Sequence, residues 1–304
     1  MDVATTSISI IGAGVVGSAT GMGLHKMGHD VIFYDISKQK LLSLKEQGYQ
    51  VGSSIENVIS KTDISFVCVN TPTKNDGQQD LSQVTSVLPD IAKALNNIER
   101  RHHLVVFRST MLPGTMRHII IEYLDRNCNN DKMRGRDYDI CYNPEFLRQN
   151  SALEDFFKPD RIVIGEDRED ASLPLKQLYK DFRSDIIITN FEAAEMIKYT
   201  SNCFLSLKIS FFNEISMICK EMGIDYKAVN QAVSLDKRIG KYGTEAGRPF
   251  GGACLPKDTQ ALAYLVKRLQ IKPDLLQIIL DINKKVEDEI STKLFVSEVG
   301  QGHG

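Results

Sequence analysis

The stretch Ile8-Ser-Ile-Ile-Gly12-Ala-Gly14-Val-Val-Gly17 constrains this chain more than any other. It sets a G-x-G-x-x-G spacing directly behind a short apolar run and at the head of a helical pattern. Such a turn lets the backbone approach a pyrophosphate closely, and the following helix presents unpaired N–H groups to it. Asp35 ends the next predicted strand, eighteen residues beyond Gly17. A carboxylate there can accept both ribose hydroxyls of a dinucleotide and repels a 2′-phosphate, which favours NAD over NADP. Gly12, Gly14, Val16, Gly17 and Asp35 are therefore candidate cofactor residues. Lys40, five residues further on, is within reach of the same ligand; read alone it is a solvated helical lysine.

The first half of the chain alternates apolar runs with helical patterns. Strands are predicted at Ser7–Ile11, Asp30–Tyr34, Ile64–Val69, Leu104–Arg108, Tyr138–Tyr142 and Arg161–Gly165. Helices are predicted at Gly14–Met27, Ser37–Gln47, Leu81–Leu95 and Gly114–Asn127. Near-continuous apolar strands separated by helices argue for a parallel sheet covered on both faces. Beyond about residue 190 the pattern is helical, with segments at Glu192–Met222, Asp225–Val233, Asp258–Leu269 and Asp274–Phe295, and a glycine-rich loop running through Pro256. The expected fold is α/β: a Rossmann-type doubly wound parallel sheet over 1–190, then an all-helical central domain over 191–304. Leu275, Ile279, Ile282, Val286, Ile290 and Leu294 recur every three or four residues. That stripe needs a partner, either the chain's own core or a second subunit.

A length of 304 residues, 42% of them hydrophobic, suffices for one large or two ordinary cores. The formal net charge of -2 gives no reason to expect nucleic acid or an anionic membrane as partner. No apolar stretch approaches the ~18 residues that span a bilayer, and Met1-Asp2-Val3 lacks the basic start of a signal peptide. Six cysteines without close pairing fit a reduced, cytoplasmic protein, and the scattered histidines form no metal constellation.

The second informative segment is Gly247-Arg-Pro-Phe-Gly-Gly-Ala-Cys254-Leu-Pro-Lys-Asp258. Gly251 and Gly252 carry no Cβ to block approach to the thiol, and the Lys257 ammonium would favour the thiolate that attacks carbonyls. The other five cysteines (Cys68, Cys128, Cys141, Cys203, Cys219) read as small core hydrophobes. Together with a dinucleotide site, a nucleophilic Cys254 suggests an oxidation that passes through an aldehyde and is trapped covalently. Val69-Asn-Thr-Pro-Thr73 and Arg108-Ser-Thr110 fall at strand carboxyl ends, where doubly wound sheets bind ligands.

In this order the pieces resemble the UDP-glucose/GDP-mannose dehydrogenase family. The shared blocks are the glycine fingerprint, Val69–Thr73, Ser109-Thr110, Asn143-Pro-Glu145-Phe146-Leu147, Lys158–Gly165, Lys198-x-x-x-Asn202 and Phe250–Asp258. The resemblance implies oxidation of a nucleotide sugar's C6 alcohol to a carboxylate with two NAD. It implies that Lys198 and Asn202 hold the substrate oxygen and that Asp258, through water, accepts the alcohol proton. Cys254 would form a thiohemiacetal and then a thioester, Glu145 would activate the hydrolytic water, and Thr110 would position it. Thr73, Thr110, Gln149 and Lys257 join the cofactor residues on this basis. Glu145, Phe146, Leu147, Lys198, Asn202, Phe250 and Gly251 join the substrate residues. Arg238 matches an arginine that reaches the sugar site of a neighbouring subunit, which implies a homodimer through the central helices. Read alone, Lys198 and Asn202 are one exposed face of a helix and Arg238 is a surface charge.

Two departures stand out. Gln149 occupies the place of a second glutamate, keeping hydrogen bonding but losing charge, and Ala253 replaces a serine. The family's third domain, which binds much of the nucleotide, would begin where this chain reaches Val299–Gly304. A shortened chain, completion by a separate C-terminal domain or chain, and an altered substrate all stay open. Two other readings remain: a 3-hydroxyacid-type dehydrogenase, and a non-catalytic NAD-binding or dimerising protein of this fold.

Overall fold

The computed structural model describes residues 5–98, 102–129 and 132–301, with side chains through residue 292. Met1–Ala4, the side chain of Leu294 and residues 302–304 thus lie outside the described residues. The chain forms two compact units: Met1–Pro72 with Gln79–Lys198, and Thr73–Gln78 with Tyr199–Gly304.

The first unit contains β1 (Ser7–Ile11), α1 (Val15–Lys26), β2 (Asp30–Tyr34), α2 (Lys38–Glu46), β3 (Gln50–Val51), α3 (Ile55–Ile59) and β4 (Ile64–Val67). There follow α4 (Ser82–Asn97), β5 (His103–Phe107), a π-helical turn (Met116–Ile121) leading into α5 (Glu122–Asn127), β6 (Tyr138–Tyr142), α6 (Ala152–Phe157), β7 (Arg161–Gly165), α7 (Leu173–Leu178) and β8 (Asp185–Thr189). The strands form one sheet in the order β3-β2-β1-β4-β5-β6-β7-β8. The first six are parallel, as expected. β7 departs from that expectation: it meets β6 antiparallel through Tyr142 and Gly165, and β8 then runs parallel to β7. Sequence patterning missed β3, α3, α6 and α7, which are too short to show a period. It also missed β8, although its Ile186-Ile187-Ile188 run carried a strand signal.

Successive strand residues alternate between two cores, one on each face. Ile10, Phe66, Val106 and Cys141 pack on one side with α1, α6 and α7; Ile11, Val67, Val105 and Ile140 pack on the other with α3, α4 and α5. At about 1.5–3 kcal/mol per fully buried Val, Leu, Ile or Phe, these layers dominate the unit's stability. On β5, buried His103 is paired at both ring nitrogens: Nδ1 and Nε2 meet Thr62 O (2.9 Å) and Ser65 Oγ (2.8 Å).

α8 (Phe191–Glu221), 31 residues long, begins in the first unit and continues in the second. α9 (Tyr226–Val233), α10 (Leu255–Arg268) and α11 (Leu275–Gln301) complete the second unit. In the second unit α8 has an unusual polarity. Its buried positions include Asn202, Ser206, Ser210 and Asn213, whereas Phe204, Phe211 and Ile218, spaced at heptad intervals, are exposed. The α11 stripe is divided: Ile279 and Val286 are buried and Leu275 is exposed.

α10 corrects the sequence reading in a way that matters for chemistry. The sequence pattern starts this helix at Asp258 and leaves Pro256 in the preceding loop. The observed helix begins at Leu255, with the proline in its first turn and Cys254 as N-cap. A first-turn proline is favoured, since its missing N–H would have no helical partner there.

Near the start of α8, Glu195 is 0% exposed, and its two carboxylate oxygens accept from Gly114 N (2.7 Å) and Met116 N (2.8 Å). It ties the turn after β5 to the helix. Burial pushes this carboxyl up to about 7, and the neighbouring Glu192 carboxylate adds to the rise; the two N–H groups and Arg117 offset only part of it. The folded protein therefore binds a proton here that the unfolded chain releases near its ordinary 4.5. The stabilisation from this group is complete below that value and is lost as pH rises through about 7. We expect thermal melts from pH 5 to 8 to show a loss on the order of 3 kcal/mol with rising pH, absent in Glu195→Gln.

Candidate active site

The dinucleotide turn is dictated by sterics. Gly12 has φ +98, and a Cβ there would lie 2.9 Å from the Cys68 carbonyl group at the end of β4. A Cβ on Gly17 would lie 1.9 Å from Gly12 O. Gly14 is the N-cap of α1, Val16 lies in its first turn, and the first-turn N–H groups have no helical acceptor. Asp35 is buried at the end of β2, where its Oδ2 accepts from Ala13 N (2.7 Å) and Lys40 Nζ (3.2 Å) and its Oδ1 from Ser37 N (2.8 Å). A carboxylate has about four acceptor positions, so one remains open, and Lys40 is exposed enough to yield another. The cradle fits a dinucleotide: backbone N–H groups at a helix start for the pyrophosphate, and a fixed carboxylate for a ribose.

A second cluster in the first unit surrounds Glu145. Asn143 fixes the Asn-Pro-Glu turn, its Nδ2 donating to Val163 O (2.7 Å) and its Oδ1 accepting from the Tyr179 hydroxyl (2.8 Å) and Arg108 Nη1. Glu145 Oε2 then accepts from Leu147 N (2.6 Å), and Oε1 accepts from Lys198 Nζ (3.1 Å). Lys198 is only 2% exposed, and its Nζ lies 5.4 Å from the Phe146 ring centroid. The reading of Lys198 as an exposed helical lysine is thereby excluded. Burial alone would push the Glu145 carboxyl up. The Lys198 ammonium, the Leu147 N–H and the Arg108 charge outweigh it and hold the group below the usual carboxylate range. At neutral pH Glu145 is therefore a carboxylate, paired with Lys198. Thr110 is buried, and its carbonyl accepts from Thr71 Oγ1 (2.7 Å) and Gln79 Nε2 (2.8 Å).

The second unit carries the cysteine loop. None of the six cysteines is in a disulfide; Cys68, Cys141, Cys203 and Cys219 are buried, and Cys128 and Cys254 half-buried. Burial pushes the thiols of Cys68 and Cys203 up to about 12, which makes them inert at neutral pH. Cys254 is different in kind, because it occupies the N-cap position of α10, although its side chain makes no capping hydrogen bond. The helix dipole and the unpaired N–H groups there favour a thiolate. Side-chain Cβ positions built at Gly251 and Gly252 meet nothing within 4 Å, so approach over the loop is open. Asp258, 1% exposed, receives Asn202 Nδ2 at 2.6 Å and Lys257 Nζ at 2.5 Å. The Lys257 ammonium is thus engaged by a carboxylate, and the helix start takes over the thiolate-favouring role expected of it.

Several expected residues are more loosely connected. Thr73 belongs to the second unit, where its hydroxyl donates to Lys257 O (3.0 Å). Gln149 is exposed in a 3-10 turn. Arg238 is exposed and held by Asp236, with Nη2 to Oδ2 at 2.7 Å and Nε to Oδ1 at 3.1 Å. Phe250 is buried, and Asn283 engages both its N–H and its carbonyl. The sequence reading missed Asn283 and Asn213; an amide on the apolar side of a helical stripe was the signal.

Comparison with known proteins agrees with this geometry. The family profile described as "UDP-glucose/GDP-mannose dehydrogenase family, NAD binding domain" matches residues 42–183, and the profile of that family's central domain matches residues 192–285. A GDP-mannose 6-dehydrogenase of Pseudomonas putida is 36% identical over 91% of the chain and 68% of its own length. A UDP-glucose 6-dehydrogenase of Bacillus subtilis is 36% identical over 91% of the chain and 66% of its own length. The structure of a UDP-glucose dehydrogenase from the hyperthermophilic archaeon Pyrobaculum islandicum superimposes with a TM-score of 0.87 at 34% identity, covering 98% of this chain and 72% of that one. The chain spans about two thirds of the length of these relatives. The matched NAD binding domain makes NAD the cofactor.

Asp35→Ala removes the candidate ribose acceptor and is expected to weaken NAD binding about tenfold or more in a calorimetric titration. It should also narrow the preference for NAD over NADP.

Proposed function

The chain belongs to the UDP-glucose/GDP-mannose dehydrogenase family, and from that premise we propose that it oxidises the C6 alcohol of a nucleotide sugar to the uronate in two steps on one cysteine. The observation that carries this reading is the seat of Cys254: a half-buried thiol at a helix N-terminus, behind two glycines with open space above them. Bound NAD supplies the two-electron acceptor for each oxidation. Lys198 holds the substrate oxygen and stabilises negative charge developing on it, with Asn202 as a second donor. Asp258, through water, receives the alcohol proton. Cys254 Sγ adds to the aldehyde carbon to give a thiohemiacetal; its oxidation leaves a thioester on the same sulfur, which water then hydrolyses to the acid. Glu145, ionised beside Lys198, accepts a proton from that water, and Thr110 positions it. Phe146, Leu147, Phe250 and Gly251 line the sugar's surroundings in this reading, and Thr73, Gln149 and Lys257 support the cofactor. All six cysteines being outside disulfides suits the cytoplasm.

The same reading makes the protein a homodimer through its central helices, with Arg238 reaching toward the neighbouring subunit's sugar. In support, α8 exposes Phe204, Phe211 and Ile218 along one side while burying polar residues on the other. Exposed aromatic surface of this kind costs free energy until a partner covers it. Substituting Phe204→Glu together with Phe211→Glu is expected to shift the protein to monomer in sedimentation or light scattering; an unchanged dimer would remove these helices from the interface.

The reaction is tested by offering UDP-glucose, GDP-mannose and N-acetylated UDP-hexosamines with NAD and counting NADH per sugar. About two equivalents are expected from the two-step route. One equivalent would mark a simple alcohol dehydrogenase of 3-hydroxyacid type, and none a binding protein. Cys254→Ser should abolish uronate formation while NAD affinity stays within about twofold, since nothing in the cofactor cradle changes.

A further inference from the structure

Two buried asparagines clamp the cysteine loop, and we infer that Asn213 and Asn283 are positioning residues that hold Cys254 at the head of α10. The inference deepens the proposed function and rests on its reading of Cys254 as nucleophile. Asn213, on α8, accepts from Gly247 N at Oδ1 (2.8 Å) and donates from Nδ2 to Arg248 O (2.9 Å). Asn283, on α11, accepts from Phe250 N at Oδ1 (2.7 Å) and donates from Nδ2 to Phe250 O (3.1 Å). Both amides are buried, at 2% and 5% exposure. Each amide orientation is fixed by its partners, because a backbone N–H needs an acceptor and a carbonyl needs a donor.

The pairing is chemical as well as geometric. A carboxamide presents one donor and one acceptor side by side, which copies the edge of a peptide group. It can close two backbone bonds at once from two separate atoms; a hydroxyl must make both through a single oxygen, and a carboxylate has no donor. The loop needs this, because Gly251, Gly252 and Ala253 are exposed and the space over both glycines is open. Side-chain packing cannot hold such a segment, and glycine loses more conformational freedom on ordering than any other residue. The two clamps bracket it from upstream, and α10 begins at its downstream end. The two bearing helices are themselves tied, since Ser210 Oγ on α8 donates to Ile279 O on α11 (3.1 Å). Without the clamps the loop would still exist, but Cys254 would be held less firmly at the N-cap position of α10, where the helix dipole favours a thiolate.

The test reads the thiol directly. The full chain and its Asn213→Ala, Asn283→Ala and doubly substituted variants are labelled with iodoacetamide from pH 6 to 10, and the Cys254 peptide is followed by mass spectrometry. Cys254→Ser identifies that peptide, and half-buried Cys128 serves as an internal control. We expect each alanine variant to label Cys254 about fivefold more slowly at pH 7, the thiolate share that helix-end alignment contributes. Its labelling profile should move toward an ordinary thiol while Cys128 labelling and the far-UV circular dichroism are unchanged. If alanine unfolds the unit, Asn283→Asp keeps volume and the acceptor for Phe250 N but loses the donor, and must show the same slowing at an unchanged melting temperature. Labelling equal to that of the unsubstituted chain in folded variants overturns the clamp and leaves the proposed function standing. A Cys254 that titrates as an ordinary thiol before any substitution removes its activation, and the clamp's purpose with it.

Discussion

Buried polar groups on one edge of α8 must all find partners, and the functional parts of this molecule follow from that requirement. Glu195, Lys198, Asn202, Ser206, Ser210 and Asn213 recur every three or four residues along a single helix, and all six are buried. A buried unpaired donor or acceptor costs about 1–3 kcal/mol, and a buried unpaired charge more. Each of these side chains is therefore matched by a specific partner: Glu195 by the turn after β5, Lys198 by Glu145, Asn202 by Asp258, Ser206 by Thr259, Ser210 by Ile279 and Asn213 by the glycine loop. An apolar edge could slide against its neighbours; this one cannot, because each bond has one correct register.

The price is paid in exposed apolar surface on the other side of the helix, where Phe204, Phe211 and Ile218 face outward. The buried side of the helix is mixed, since Tyr199, Cys203, Phe212 and Cys219 are buried along with these polar residues. The residues proposed for the chemistry sit on the same edge. Lys198 and Asn202 are one turn apart in the chain; Lys198 meets Glu145 in the first unit and Asn202 meets Asp258 in the second. Site residues mounted on a helix are held more narrowly than residues mounted on loops.

Much of the fold was legible in the chain. The glycine fingerprint, Asp35 at the end of the second strand and the near-continuous apolar runs specified the dinucleotide half, because local sterics and strand burial act through neighbouring residues. Elements of two to six residues were not legible, since they show no period. The reversal at β7 was also invisible, because strand direction is set by how the chain packs after β6 and not by the apolar run itself. Cys254 stood out through its neighbours, but its place as helix cap did not: Pro256 reads equally well as loop or first turn until the start of α10 is seen.

The sequence by itself determined the dinucleotide turn, the order of the main helices and strands, and which cysteine differs from the rest. These depend on spacing, on backbone freedom at a few glycines and on apolar periodicity, all local properties. Only the tertiary structure decided that Lys198 is buried against Glu145, that Lys257 serves Asp258, and that Asn213 and Asn283 grip the loop. Those partners lie from one to more than fifty positions apart in the chain. No pattern along the sequence says which amide or ammonium will be withdrawn from water; burial sets that, and once a polar group is buried the need to pair it selects the partner.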